Sequence, residues 1–189
     1  DRFVDSTIAY QHFGMGVNLN LIDTINRYIL SDFKVSFTFL NTQLIPAQEQ
    51  TAPNIILINI DDMGWKDVGF MGSKYYETPN IDGLAARGMV FTNGYAAAAN
   101  CAPSRASLMT GLWTSRHGIY TVNTSERGHT KDRKLIPIKN TKTLSSKLKV
   151  IPQILKENGY TTCHAGKWHL SNNPKDFGFD VNIGGSHAG

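Results

Sequence analysis

Only two cysteines, Cys101 and Cys163, occur in 189 residues, so a disulfide-rich scaffold is excluded. No stretch approaches 18 consecutive apolar residues, which excludes a membrane-spanning helix. No short repeat is present, so collagen-like and coiled-coil architectures are excluded as well. A strong charge of one sign is also missing. Nineteen basic residues against 15 acidic ones give a net charge of +4, enough to suit an anionic ligand and too little to call for nucleic acid. What is present is 41% hydrophobic residues and 10% aromatics, which excludes disorder and suffices for one ordinary domain with a real core.

The chain begins at Asp1 without an initiator Met and stops at Ser186-His187-Ala188-Gly189 without a closing element, so a fragment is expected. No clear signal peptide is visible: Phe33 to Leu40 is apolar, with Ala47 near a cleavage position, but Lys34, Ser36 and Thr38 interrupt it. Three zones follow. In residues 1–52, Leu21, Ile22, Ile25, Tyr28 and Ile29 fall on one helical face, and Phe33, Val35, Phe37 and Phe39 alternate like a half-buried strand. No chemistry shows there, and the segment is expected to be an extension of unknown role.

From Pro53 to about Tyr120 the signals are dense. Asn54 to Ile60 is a continuous apolar run that predicts a buried strand of the parallel type. Thr78-Pro79-Asn80 opens a helix that Gly88 ends, Met89 to Thr92 predicts the next strand, and a helix starting near Pro103 and running through Ser104–Thr110 is closed by Gly111. Arg127 to Lys149 is a basic loop, read either as a solvated surface or as a rim that draws in anions. Ile151-Pro152 starts a further helix ended by Gly159, and Tyr160 to Ala165 is a strand. The alternation predicts an α/β fold with a mainly parallel sheet flanked by helices.

Three constellations could carry chemistry. Asp61-Asp62 directly follow an apolar strand, where open α/β sheets place their sites. Two adjacent carboxylates suit a hard cation such as Ca²⁺ or Mg²⁺, and Asp-Asp-Met-Gly is equally good turn composition. Cys101 sits near a helix N-terminus, with Arg105 one turn further on; a served anion or reactive group and a packed small Cys both satisfy that placement. Lys167 and His169, two apart on an extended segment, would face one space with Trp168 packed on the other side, which suits an oxyanion and a proton transfer. A surface Lys and a satisfied His fit the same residues. A zinc site lacks ligand spacing, a Cys101–Cys163 disulfide stays open, and His12, His117, His129, His164 and His187 show no partner.

Pro53 to Gly64, Thr78-Pro79-Asn80-Ile81-Asp82, Cys101-Ala102-Pro103-Ser104-Arg105 through Thr110-Gly111, and Gly166-Lys167-Trp168-His169, in that order, resemble the N-terminal part of a type I sulfatase of the alkaline phosphatase superfamily. The resemblance covers residues 53–189, an incomplete catalytic domain, and not 1–52. It implies an alkaline-phosphatase-like α/β fold and hydrolysis of sulfate esters. Cys101 would be oxidised to formylglycine by a formylglycine-generating enzyme that reads Pro103 and Arg105. One oxygen of the hydrated aldehyde would attack sulfur and expel the alcohol; the other would collapse to the aldehyde and release sulfate. Asp61, Asp62 and the modified residue 101 would bind the metal, usually Ca²⁺. Arg105 would hold the diol, Lys167 would contact the sulfate, and His169 would take a proton during collapse.

The resemblance further implies a sulfated small-molecule or glycan substrate and a periplasmic or secreted location. The family's later metal ligands, second active-site His and second Lys have no counterpart in these residues, so the 189 residues alone are expected to be inactive. Two other functions fit parts of the pattern: a phosphate or phosphonate ester hydrolase of the same superfamily, and a non-catalytic module holding sulfated glycans on the basic loop.

Overall fold

A computed structural model describes residues 53–187 in full and the backbone of two strands at residues 7–12 and 35–42. The order is β1 (Thr7–His12), β2 (Val35–Thr42), β3 (Asn54–Ile60), α1 (Pro79–Arg87), α2 (Cys101–Thr110), α3 (Thr114–His117), α4 (Ile151–Glu157), β4 (Tyr160–Ala165) and β5 (Val181–Ile183). The helix expected around Leu21 to Ile29 lies outside the described residues, as does Phe33.

The five strands form one sheet in the order β1-β3-β2-β4-β5. The expectation of a mainly parallel sheet is corrected here. β1–β3, β2–β3 and β2–β4 are antiparallel, and β4–β5 alone is parallel. The physical reason is that strands from residues 1–52 enter the sheet: β2 lies between β3 and β4 and runs against both. β3 and β4 therefore run in the same direction, as the α/β alternation requires, but they are not neighbours. Val35 pairs with Ile60 and Phe37 with Ala165 across β2, so β3 and β4 end at nearly the same level.

The apolar run of β3 is explained by its two covered faces. Ile55 and Leu57 pack on a core of Ala102, Ala106, Met109, Ile119, Leu144, Val150, Trp168, Leu170, Phe177 and Phe179. Ile56, Ile58 and Ile60 belong to a second cluster with Met63, Val68, Ala165 and Ile81. Helices thus cover both faces: α2 and α4 contribute to the first cluster, α1 through Ile81 to the second.

The helix signals are obeyed closely. Pro79 opens α1 and Gly88 caps it. α2 starts at Cys101, two residues before Pro103, with Asn100 as N-cap, and Gly111 ends it in the left-handed region at φ 68°. The Gln153 side chain accepts from the Val150 N–H at the start of α4. The strand expected at Met89 to Thr92 is not formed. Met89 and Phe91 are largely exposed and no described strand pairs with them, so the β-propensity of the segment finds no ladder. No helix among the described residues is long and apolar enough to cross a membrane.

Candidate active site

Two chain segments leave the same end of the sheet. β3 delivers Asp61, and β4 delivers Gly166 to His169. An intervening strand separates them, a gap of about 9–10 Å at normal strand spacing. Short side chains cannot close it; Arg105 and Lys167 can. Arg105 rises from α2 one turn beyond Cys101. Its Nη2 lies 3.2 Å from Asp61 Oδ1, and its Nη1 donates to the Lys167 carbonyl at 2.6 Å. Lys167 Nζ donates to Asp61 Oδ2 at 2.5 Å. One guanidinium thus binds the ends of both strands to α2.

The electrostatics of this group follow from its burial. The side chains of Asp61, Arg105 and Lys167 are 1%, 5% and 11% exposed. Burial alone would raise the Asp61 carboxyl, but the Lys167 hydrogen bond and the charges of Arg105 and Lys167 outweigh it and hold it below the usual carboxylate range. Two buried cations face one buried carboxylate.

His169 follows at once, and here the extended geometry expected of Lys167 to His169 is corrected. His169 sits at φ 61°, in the left-handed region, so a two-residue alternation does not describe it. Trp168 does pack inward as expected, 1% exposed, with its Nε1 donating to Ser171 Oγ at 2.8 Å. The His169 ring is nonetheless close to the cluster. Burial first, then the charges of Lys167, His187 and Arg105, lower its pKa against the opposing pull of Asp61, so it is held neutral.

Asp62 and Cys101 stand apart from this group. Asp62 is exposed, at φ 56°, and makes no ion pair among the described residues. Cys101 is half-buried at the first turn of α2, and both it and Cys163 are free thiols, which answers the open question of a disulfide. Among the described residues no three His, Cys, Asp or Glu side chains gather closely enough to hold an ion. Asp61, Asp62 and Cys101 thus do not form a closed metal shell by themselves, because the Asp61 carboxylate is turned to Arg105 and Lys167. The donor chemistry, two carboxylates of which one is kept firmly ionised, does fit a hard divalent cation.

Three of the histidines that showed no partner in the sequence, His117, His164 and His187, find places. His117 Nε2 lies 3.0 Å from Ser107 Oγ and its Nδ1 accepts from the Ile119 N–H. His187 packs edge-on against His169 with ring centroids 6.0 Å apart. Its neighbour Ser186 accepts from the His169 N–H through its carbonyl at 2.9 Å. The sequence signal for this was Gly184-Gly185, a glycine pair after a strand, which marks a close backbone approach. A Cβ at Gly185 would lie 2.5 Å from Asn182 Oδ1 and 2.6 Å from His164 Cδ2.

His164 lies under that loop, beside Trp168 and Phe179, and burial pushes its pKa down to about 4. The unfolded chain protonates near the ordinary value of about 6.5, so between the two values only the unfolded state takes up the proton. Stability is complete above about pH 6.5 and is lost as pH falls toward 4, by about 3 kcal/mol. Urea unfolding of the full-length protein at pH 7 and pH 4.5 is expected to show this loss, and His164→Gln to flatten it. An unchanged slope in that variant would place the acid sensitivity elsewhere.

With this geometry described, the comparisons with known proteins decide the family. The sulfatase sequence profile matches residues 53–188. The chain belongs to the sulfatase family. Over 133 residues it is 42% identical to an N-acetylgalactosamine-6-sulfatase of Rattus norvegicus, covering 70% of this chain and 24% of that protein. The Homo sapiens N-acetylgalactosamine-6-sulfatase is 40% identical over 123 residues, covering 65% and 23%. An arylsulfatase G of Mus musculus is 39% identical over 139 residues, covering 70% and 23%. This sulfatase chain spans about a quarter of the length of these curated relatives. Membership implies an alkaline-phosphatase-like α/β fold, with which the helix-covered sheet agrees. β3, α2 and β4, which carry the candidate residues, all lie inside the matched region, whereas β1 and β2 lie outside it.

Proposed function

We propose that this chain is the N-terminal part of the catalytic domain of a sulfuric ester hydrolase acting on sulfated glycans or aryl sulfates, in the periplasm or after secretion. The observation that carries the reading is the pair of buried cations, Arg105 and Lys167, gathered around Asp61, with Arg105 one helical turn beyond Cys101. A sulfate ester is a single anion, and a dry cationic site beside a nucleophile is what its cleavage needs. Exposed Asp62 opposes this charge only weakly, because water and salt screen it.

In this reading a formylglycine-generating enzyme converts Cys101 to formylglycine. The hydrated aldehyde supplies one oxygen to attack sulfur and a second to expel sulfate as the carbonyl re-forms. Arg105, planar and held by two acceptors, orients residue 101 and neutralises the charge that builds beside it. Lys167 supplies an ammonium for a sulfate oxygen. His169, kept neutral, can accept a proton from residue 101. Asp61 and Asp62, with the modified residue 101, would hold a divalent cation, Ca²⁺ or Mg²⁺, and that ion would add positive charge beside the sulfate oxygens. The names of the relatives supply the probes: N-acetylgalactosamine 6-sulfate and an aryl sulfate such as 4-nitrophenyl sulfate.

Two measurements on the full-length natural protein test the reading. Mass spectrometry of the tryptic peptide Gly88–Arg105 is expected to show formylglycine at position 101. Turnover is expected on a sulfate ester and to be at least about tenfold slower on the matching phosphate. An unmodified thiol in a host that has the modifying enzyme, or a preference for phosphate, overturns the proposal.

A further inference from the structure

The basic loop between α3 and α4 has no task in the reading above. Residues 126–149 hold eight of the chain's 19 Lys and Arg against two carboxylates, Glu126 and Asp132, leaving 11 basic and 13 acidic residues elsewhere. Little of that charge is neutralised within the protein. Arg133 pairs with Glu126 at 3.3 Å and Lys149 with Glu157 at 2.6 Å. Lys131, Lys134, Lys139, Lys142 and Lys147 are exposed and make no ion pair among the described residues. The loop is nonetheless held in one shape. The Arg133 guanidinium donates to the Arg127 and Gly128 carbonyls. Asn140 accepts from the Tyr120 and Thr121 N–H groups and donates to the Thr121 and Asn123 carbonyls. Two bonds next to the site set the position of the loop. Asn100, the residue before Cys101, donates through Nδ2 to Oγ1 of the same Thr121 at 2.9 Å. Leu144 N–H donates at 2.8 Å to the carbonyl of Leu170, the residue after His169. The stretch 140–144 therefore runs from beside Cys101 to beside His169, and it carries Lys139 and Lys142 along the rim of the site.

We infer that this loop is a docking surface for a sulfated polysaccharide, with Lys139, Lys142 and the lysines beyond them holding the part of the glycan that flanks the ester at residue 101. The inference rests on the sulfatase reading above and extends its substrate from one sulfate to many. A single exposed lysine holds a single sulfate poorly, because water and salt screen the pair. A ligand that carries many sulfates on one backbone gains from every such contact at once, and a loop already fixed in shape gives up little freedom on binding it. Residues 126–149 hold no Phe, Tyr or Trp on which bases could stack, which sets nucleic acid aside. Exposed Leu135, Ile136 and Ile138 stand between Lys134 and Lys139 in the chain and offer apolar contact to the C–H faces of sugar rings. The place of the loop, on the rim of a site that takes sulfate, favours a glycan over an anionic membrane.

The test uses the full-length protein, dextran sulfate as the probe, and Lys139→Gln with Lys142→Gln as one double variant. Both side chains are exposed, so the exchange leaves the packing untouched. Lys74→Gln with Lys175→Gln, two exposed lysines outside the loop, removes the same charge and serves as the control. At low ionic strength the loop variant is expected to bind dextran sulfate about tenfold more weakly than the wild type and the control less than about twofold, with the difference shrinking as salt is added. Dextran sulfate is expected to inhibit turnover of 4-nitrophenyl sulfate competitively, with an inhibition constant that rises by the same factor in the loop variant. An equal loss in both variants would mean a general attraction to basic protein. No loss in either would mean that the loop is a solvated surface. Dextran sulfate that binds without inhibiting would lie away from the site. Phosphatidylglycerol vesicles that bind more tightly than dextran sulfate, with the same dependence on Lys139 and Lys142, would mean that the loop meets a membrane. Each of these four results overturns the inference. Binding needs no turnover, so failure of the sulfatase reading shows separately: a protein that binds dextran sulfate through Lys139 and Lys142 yet cleaves no sulfate ester ends that reading and leaves the docking surface standing.

Discussion

Replacing Cys101 with serine is expected to leave a protein that cleaves at most one sulfate ester per molecule and then stops. Serine offers a single hydroxyl at the first turn of α2, above the same Arg105 and beside the same cations. That hydroxyl can attack sulfur, because the electrostatic surroundings that favour attack are unchanged. It has no second oxygen on the same carbon to re-form a carbonyl and expel the bound sulfate. Steady-state turnover should fall by about four orders of magnitude or more, the scale on which loss of a covalent nucleophile is felt, while a burst of one alcohol per site survives. Cys101→Ala should lose the burst as well. Stopped-flow release of 4-nitrophenol separates the two. Sustained turnover in the serine variant would mean that covalent release does not depend on an aldehyde, and the mechanism would have to be given up.

The second large effect is expected at Arg105. Its guanidinium serves two acceptors on different strands, Asp61 Oδ1 at 3.2 Å and the Lys167 carbonyl at 2.6 Å, and its side chain is 5% exposed. Arg105→Ala removes both bonds, empties a buried space and leaves Asp61 with Lys167 as its one cation in the pair network just described. Breaking a buried pair from one side costs about 3–5 kcal/mol, equivalent to a fall of roughly 10 °C in Tm for a domain of this size. Arg105→Lys is not expected to rescue it, because an ammonium on a flexible stem cannot reproduce the fork that meets both acceptors. Adding Asp61→Asn to Arg105→Ala should cost less than the sum of the two single changes, since the Arg105–Asp61 pair is lost only once. Thermal unfolding of the four proteins measures this directly. A loss below about 1 kcal/mol for Arg105→Ala would show that the guanidinium is more hydrated than its burial implies.

Much of the fold was legible because it depends on local signals. Pro79, Gly88, Gly111 and Gly159 punctuate helices whatever the tertiary context, and Asn54–Ile60 could only be a strand with two covered faces. The parallel sheet was misread because strand order is a long-range property. Nothing in Val35, Phe37 and Phe39 tells that their strand inserts between β3 and β4 instead of lying at an edge. Met89 to Thr92 has strand composition, but composition cannot supply a neighbour to pair with. In the site, Asp61, Arg105 and Lys167 were found as separate motifs, and the structure joins them by hydrogen bonds. His187 escaped notice because the one mark of its place, the Gly184-Gly185 pair, is a statement about backbone approach, and the residue approached lies 18 positions earlier at His169.

The left-handed backbone of His169 has one more consequence. A non-glycine residue in that region carries strain of about 1–3 kcal/mol and stays there only while its surroundings insist. Here what insists is the bond from its N–H to the Ser186 carbonyl. The amide proton of His169 is therefore a natural clock for the loop after β5. Deuterium reaches it when residues 184–187 lift away, and its exchange rate counts those openings even while the sheet beneath stays closed.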